Sequence, residues 1–113
     1  DIIGHPDDGR FPVDMEILVR EAKKTGTLLE VNNSSLSPES FRMNTMENCR
    51  DMLWECRKQE AMVVLGSDSH VDTDIANYQY ASSALLEVNF PDELIANTSL
   101  EKIKSCLKHR KKV

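Results

Sequence analysis

The sequence predicts an α/β fold in which parallel strands alternate with helices. Three short apolar runs are each followed by polar residues and then by a segment of helical periodicity, an order typical of β/α units. The chain has 113 residues, of which 40% are hydrophobic and 29% charged, as in an ordinary globular domain. Its net charge of −5 argues against nucleic acid as a partner, since sequence-independent binding depends on Lys and Arg.

The first β/α unit occupies the N-terminal part of the chain. We predict that a strand ends at residues 1–4 and is closed by His5 and Pro6. Because proline disfavours helical backbone at the residue before it, we expect His5 to be extended. A helix is predicted over residues 13–25, with Gly26 as its terminator. Its apolar stripe consists of Met15, Leu18, Val19 and Ala22.

The second and third units repeat this order. The apolar run 27–31 predicts the second strand. Asn44 and Glu47 have the spacing of a capping box that opens a helix to about Glu60. The run 62–65 predicts a third strand, which we expect to be buried on both faces because it is continuously apolar. The buried stripe predicted for the second helix consists of Met46, Cys49, Leu53 and Cys56.

The last third of the chain predicts two more helices. One covers residues 78–88, and after the short apolar run 94–96 the other begins near Ser99. We expect the last helix to carry Leu100, Ile103 and Leu107 inward. No run reaches the roughly 20 apolar residues that cross a bilayer, so no membrane association is expected. Three cysteines without paired spacing indicate a reducing compartment, which predicts a cytoplasmic protein.

Polar residues that follow the predicted strands are the candidate ligands, since sites in such folds lie at the carboxyl ends of strands. Asp68 and His70 are two residues apart, so on extended backbone both side chains can contact the same metal cluster. An imidazole with a carboxylate suits Zn²⁺, Mn²⁺ or Fe better than Ca²⁺ or Mg²⁺. His5 is a further candidate ligand from the neighbouring strand. The alternative for all three residues is a structural role as a cap or hydrogen-bonding group.

Four more polar residues and one polar segment are further candidates. Glu30 and Asn32 share one face of the second strand. Glu30 either orients a ligand or water, as an outer residue of a metal site does, or is a buried polar group tied to the backbone. Arg10 and Arg42 lie in loops after strand ends, where a guanidinium either holds a phosphate or is solvated. Residues 33–35 either donate to an anion or form a turn.

Several segments together indicate a family. They are residues 2–6 (IIGHP), 29–35 (LEVNNSS), 48–50 (NCR), 65–70 (LGSDSH), 89–91 (NFP) and 95–99 (IANTS). In this order, over nearly the whole chain, they resemble the PHP family, named for polymerase and histidinol phosphatase, in its stand-alone phosphatase-like branch. The resemblance implies a distorted seven-stranded β/α barrel, similar to a TIM barrel. It also implies a cluster of up to three metal ions that hydrolyses phosphate esters.

The resemblance carries over to particular residues. His5 matches the ligand of the family's His-Pro motif, and Asp68 and His70 match its closing Asp-x-His pair. Arg42 lies where an anion-holding arginine is expected. Gly4 stands where the family often has a serine, a change that leaves the imidazole available.

The family's remaining ligands do not occur in this sequence. Its His-x-His motif, further histidines and bridging glutamate belong to its first half, so the resemblance implies that residues 1–113 are the C-terminal part of a single PHP domain. The implied activity is metal-dependent hydrolysis of a phosphorylated small molecule, with zinc as the metal or alternatively manganese or iron. This part alone is expected to be inactive. The alternatives are a non-catalytic PHP-like module, for example one associated with a polymerase, and a part that self-associates through an open barrel edge.

Overall fold

Three parallel strands and four α-helices make up the described part of the chain. The computed structural model describes residues 1–10, 12–38, 40, 42–69 and 78–107. The strands, in the sheet order β1-β2-β3, are β1 Ile2–Ile3, β2 Leu28–Asn32 and β3 Val63–Gly66. The helices are α1 Met15–Thr25, α2 Thr45–Gln59, α3 Gln79–Glu87 and α4 Leu100–Cys106. Both strand pairs are parallel, so the predicted α/β class is confirmed.

The central strand β2 separates two apolar clusters. Because side chains alternate along a strand, Leu29 and Val31 face one cluster whereas Leu28 faces the other. The larger cluster joins this sheet face to α1, α2 and α3 through buried residues that include Val19, Ala22, Cys49, Leu53, Cys56, Val63, Ala81 and Ala84. The smaller cluster packs α4 against Leu28, Val64 and Ala96. Cys49 and Cys56 are therefore core residues, and burial raises the pKa of Cys56 to about 12.

The predicted first helix is confirmed except at its start. Asp14 is the N-cap and accepts a hydrogen bond from Ile17 N at 3.1 Å, so the helix begins at Met15, two residues after the predicted position. Gly26 ends the helix at a φ of 69°, and its amide donates to the carbonyls of Ala22 and Lys23. Its left-handed backbone explains why glycine terminates this helix.

The capping box predicted for α2 is wrong. Asn44 occupies the N-cap position, but its φ is 52° and its side chain makes no capping hydrogen bond. A side-chain cap requires extended backbone at this position, and left-handed backbone does not provide it. The predicted end at Glu60 is confirmed, because Glu60 is the C-cap and has a φ of 58°.

One inward residue of the last helix was wrongly predicted. Leu100, the first residue of α4, is 68% exposed. Ile103 and Leu107 pack against the smaller cluster as expected. Ser99 caps the helix by accepting a hydrogen bond from Lys102 N at 3.1 Å. The basic residues 108–112 lie outside the described part of the chain.

Two segments beyond β3 attach to the sheet. Ile95 forms a single parallel bridge with Val63, so the predicted run 94–96 lies in the position of a next strand. Asn97 continues this contact with its side chain, since it accepts from Leu65 N at 3.0 Å and donates to Leu65 O at 2.9 Å. Among the helices that the structure describes, none has the length and apolar character needed to traverse a lipid bilayer.

Candidate functional site

The carboxyl ends of the three strands bring most of the predicted residues together. His5 follows β1, Glu30 and Asn32 lie on β2, and Asp68 follows β3. His5 Nε2 lies 3.8 Å from Asp68 Oδ2, and the His5 amide donates to Glu30 Oε1 at 3.2 Å. These residues come from three separate strands, so the register of the parallel sheet builds the site.

The carboxylate of Glu30 lies near two glycines, Gly4 and Gly66, at the carboxyl ends of the strands. Its Oε1 accepts hydrogen bonds from the backbone of His5 and from Asn32 Nδ2, the latter at 3.1 Å. A Cβ at Gly66 would lie 2.5 Å from Glu30 Oε2, whereas one at Gly4 would lie at an ordinary 3.7 Å from Oε1. Gly66 thus makes room for the carboxylate, which holds the backbone at His5 in place.

The His5 ring is contacted through both of its nitrogens. Nδ1 lies 3.3 Å from Ser35 Oγ, and Nε2 lies 3.4 Å from Arg42 Nη2. When Nδ1 carries the proton, it donates to Ser35, and the lone pair of Nε2 points toward Arg42 and Asp68. In that tautomer Nε2 is available as a ligand or acceptor.

The backbone conformation at both strand ends differs from the prediction. His5 and Asp68 each have a φ of 51°, in the left-handed region, although both were expected to be extended. At His5 the bond from its amide to Glu30 outweighs the local influence of Pro6. Left-handed backbone is unusual for residues other than glycine and clusters at functional sites.

The third predicted metal ligand, His70, lies outside the described residues. Among the residues that are described, no group of three or more His, Cys, Asp or Glu side chains is arranged to hold a metal ion. His5 and Asp68 are the predicted ligands that the structure brings together.

Asp8 links two arginines to this site. Its carboxylate is 4% exposed and accepts from Arg10 Nη2 at 2.7 Å and from Arg10 Nε at 3.1 Å. Arg42 Nε lies 3.7 Å from the same Oδ2 atom, and Arg42 itself is 16% exposed. The hydrogen bond from Arg10 is the main reason why the pKa of Asp8 falls to about 2. Arg10 and Arg42 are therefore engaged with a carboxylate, not simply solvated.

A second buried aspartate, Asp7, lies near the site. Asp7 is 1% exposed, and neither of its carboxylate oxygens has a hydrogen-bond partner in the described part of the chain. Burial raises its pKa from 3.8 to about 6, although its own amide and the charges of His5 and Arg42 act in the opposite direction. Its backbone is fixed, since Asp7 O accepts from Asn48 Nδ2 at 3.0 Å.

The polar segment after β2 forms a turn. Residues Ser34–Leu36 form a short 3₁₀ helix, and Ser34 Oγ donates to Ser67 O at 2.8 Å. Asn33 Oδ1 accepts from the amides of Tyr80 and Ala81 at 2.8 and 3.0 Å, so it caps α3 from another part of the fold. This segment therefore ties the ends of β2 and β3 to α3.

Sequence reasoning missed four residues that shape the site. Asp7 and Asp8 directly follow the His-Pro dipeptide, a position that signalled their proximity to His5. Ser35 was recognised as part of a polar segment, but its contact with the imidazole depends on the turn after β2. The close approach of Gly66 to a carboxylate has no local sequence signal, because it depends on the packing of β3 beside β2.

Comparison with known proteins finds similarity along the whole chain. A probable phosphatase of Acetivibrio thermocellus is 40% identical over 111 residues, which are 98% of this chain and 45% of that protein. One of Clostridium novyi is 37% identical over 113 residues, 100% of this chain and 46% of its own length. One of Caldanaerobacter subterraneus subsp. tengcongensis is 34% identical over 112 residues, 99% of this chain and 43% of its own length.

These similarities extend over only part of the relatives. The chain spans about half the length of the curated relatives it matches, between 43% and 46% in these three proteins. No family model matches the chain. The chain is thus similar, from end to end, to part of proteins named probable phosphatases.

Proposed function

We propose that this chain supplies part of the active site of a metal-dependent phosphatase that hydrolyses small phosphate monoesters. The observation that carries the proposal is the convergence of His5, Asp68 and Arg42 at the carboxyl ends of parallel strands. The names of the relatives support the phosphatase class. The resemblance to the PHP family supports the dependence on metal.

His5 and Asp68 fit a shared divalent ion. Zinc lies about 2.0–2.2 Å from nitrogen and oxygen ligands, so two ligand atoms on one ion are separated by about 3–4 Å. The distance of 3.8 Å between His5 Nε2 and Asp68 Oδ2 agrees with this range. His70 is the proposed third ligand, and zinc is the proposed metal, with manganese or iron as alternatives. A bound divalent ion would supply Lewis acidity and a water molecule of lowered pKa.

The surrounding residues would orient the ligands and hold the substrate. Arg42 Nη2 lies 3.4 Å from His5 Nε2, so a metal bound at Nε2 would displace this contact, and the guanidinium would be free to bind the oxygens of a phosphoryl group beside the metal. Glu30 fixes the backbone of His5 through the bond from its amide. Ser35 Oγ lies 3.3 Å from Nδ1, and it would accept from Nδ1 in the tautomer that leaves the lone pair on Nε2 for the metal.

We also propose that the sheet continues as a barrel of the PHP type, of which residues 1–113 are the C-terminal half. β1 lies at one edge of the described sheet, and Ile2 is 47% exposed there. At the other edge, Ile95 adds to β3 through its bridge with Val63. A barrel would cover the β1 edge with a further strand, and the chain alone would tend to self-associate there.

The test uses a longer protein in which the proposed N-terminal half precedes this chain. It compares the His5→Asn variant of that protein with the protein of unchanged sequence. Metal content is measured by mass spectrometry, and hydrolysis of p-nitrophenyl phosphate is measured in the same samples. Loss of one ligand should reduce bound metal and lower kcat by more than about 100-fold. His109→Asn is the matched control, since the sequence assigns no role to His109, and it should retain both metal and activity.

One result would contradict the proposal. The extended protein is purified without chelators and is shown to be folded. If it then holds no divalent metal and does not hydrolyse phosphate monoesters, it is not a metal-dependent phosphatase. A non-catalytic module would then be the better interpretation.

A further inference from the structure

Asp8 is the shared partner of two cations beside the candidate site. Arg10 and Arg42 both approach Oδ2 of Asp8, at 2.7 and 3.7 Å, so the two guanidinium groups lie close to each other. Like charges repel strongly at such a separation when solvent is partly excluded. The buried carboxylate between them offsets this repulsion, which allows both arginines to occupy one side of the site.

The backbone around Asp8 is fixed against the segment that carries Arg42. Gly9 N donates to Met43 O at 2.7 Å, and a Cβ at Gly9 would lie 2.6 Å from that oxygen. The two segments are therefore in direct contact through backbone atoms. This backbone contact keeps Asp8 close to Arg42.

The chain of contacts continues from Asp8 to the imidazole. The guanidinium of Arg42 lies 3.7 Å from Asp8 through Nε and 3.4 Å from His5 Nε2 through Nη2. Asp8 is thus one of the groups that hold Arg42 beside His5. Planar guanidinium groups held in this way suit the oxygens of a phosphoryl group.

We infer that Asp8 is a positioning residue that holds Arg10 and Arg42 together as a two-guanidinium site for the phosphoryl group of a phosphate monoester. This inference rests on the proposed function for its substrate class. Two positive charges against one negative charge leave the cluster with a net charge of about +1 at neutral pH, which suits a phosphate dianion. Asp8 itself would not contact the substrate, because its carboxylate is occupied by the arginines.

The variant Asp8→Asn distinguishes two effects of Asp8 on anion binding, its negative charge and its positioning of the arginines, because the loss of each changes the affinity in the opposite direction. Removing a negative charge alone should tighten the binding of inorganic phosphate. Releasing the arginines from their ordered positions should weaken it. We expect the second effect to dominate, with the Kd for phosphate and the KM for p-nitrophenyl phosphate both rising about tenfold and kcat changing less than about threefold.

The measurements use full-length protein, with Asp51→Asn on the exposed surface of α2 as the matched control. Titration calorimetry gives the Kd for phosphate, steady-state kinetics gives KM and kcat, and ¹⁵N NMR follows the Nε–H signals of the arginines. Urea unfolding reports whether each variant is folded. In Asp8→Asn the Nε–H signals of Arg10 and Arg42 should exchange faster with solvent, whereas Asp51→Asn should match the unchanged protein.

A second variant tests whether Asp8 acts through Arg10. If it does, Arg10→Gln weakens phosphate binding by itself, and the double variant Asp8→Asn/Arg10→Gln binds phosphate no more weakly than Asp8→Asn alone. Fully additive losses would contradict the inference, because they would mean that the two residues act independently.

The outcomes distinguish this inference from the proposed function. Phosphate binding that is tightened or unchanged in Asp8→Asn overturns the inference, even if the enzyme remains an active phosphatase. Phosphate binding that depends on Asp8 in a protein without phosphatase activity supports the inference and refutes the proposed function. Unchanged protein that binds no phosphate overturns the inference as well.

Discussion

Replacement of Asp7 by asparagine should change how the stability of the protein depends on pH. Asp7 is 1% exposed, and both of its carboxylate oxygens lack a hydrogen-bond partner within the described residues. An ionised carboxylate without partners is costly to bury, which is why its pKa rises from 3.8 to about 6. Asp7→Asn keeps the shape of the side chain and removes its ionisation.

The direction of the effect follows from proton binding. Between pH 4 and 6 the folded protein keeps the Asp7 proton more tightly than the unfolded chain, so the free energy of unfolding falls as pH rises through this window. Each tenfold change in proton affinity corresponds to about 1.4 kcal/mol. The unchanged protein should therefore lose about 2–3 kcal/mol relative to Asp7→Asn between pH 3.5 and pH 7.5.

Urea unfolding followed by far-ultraviolet circular dichroism provides the measurement. The unchanged protein, Asp7→Asn and the exposed control Asp51→Asn are each unfolded at several pH values between 3.5 and 7.5. A chelator is present throughout, because metal that binds only the folded state would add its own stabilisation. Taking the difference between variants cancels the titration of groups that they share, such as Asp8, whose pKa is lowered to about 2.

The prediction is refuted if the stabilities of Asp7→Asn and the unchanged protein run parallel over this pH range. A direct measurement of the pKa of Asp7 tests the same prediction. The carboxyl carbon of Asp7, followed by ¹³C NMR, should titrate with a midpoint near 6 rather than near 3.8. A midpoint near 3.8 would mean that Asp7 has hydrogen-bond partners or solvent contact in solution.

Two further substitutions test how the sheet edge is built. Gly66→Ala brings a Cβ to 2.5 Å from Glu30 Oε2, so we expect the free energy of unfolding to fall by about 1–3 kcal/mol in urea and zinc to bind more weakly at the proposed metal site. Gly4→Ala is its control, with a contact of 3.7 Å, and equal losses in both variants would contradict this explanation. Asn33→Ala removes the acceptor for two amides of α3 and should cost about 1–2 kcal/mol. Faster hydrogen exchange at the amides of Tyr80 and Ala81 would confirm this role, and unchanged exchange would contradict it.

The secondary structure was predictable where a local pattern decides it. The buried stripes of α1 and α2 and the glycine that ends α1 follow from residue spacing alone, and the structure confirms them. The capping box at Asn44 and the inward position of Leu100 were wrong. Both errors lie at helix starts, where the path of the preceding loop, rather than the spacing of side chains, sets the backbone and the exposed side.

The proximity of several candidate residues was predictable, but the contacts between their side chains were not. Strand order placed His5, Glu30 and Asp68 at one edge of the sheet, as the structure shows. The pairing of Asp8 with Arg42 was not predictable, because it depends on the backbone contact between Gly9 and Met43. Contacts between loops that are distant in sequence leave no periodic signal in the chain.

The strain at the strand ends indicates that the site is formed before any ligand binds. His5 and Asp68 both have left-handed backbone, which costs about 1–2 kcal/mol at a residue other than glycine. At His5 the hydrogen bond to Glu30, the contact with Ser35 and the contact with Arg42 hold the residue in this state. These contacts all come from protein groups, so the folding of the chain itself offsets the strain. The binding of a metal or a phosphate would then not have to offset the backbone strain. Such preorganisation favours affinity at a site built from few residues.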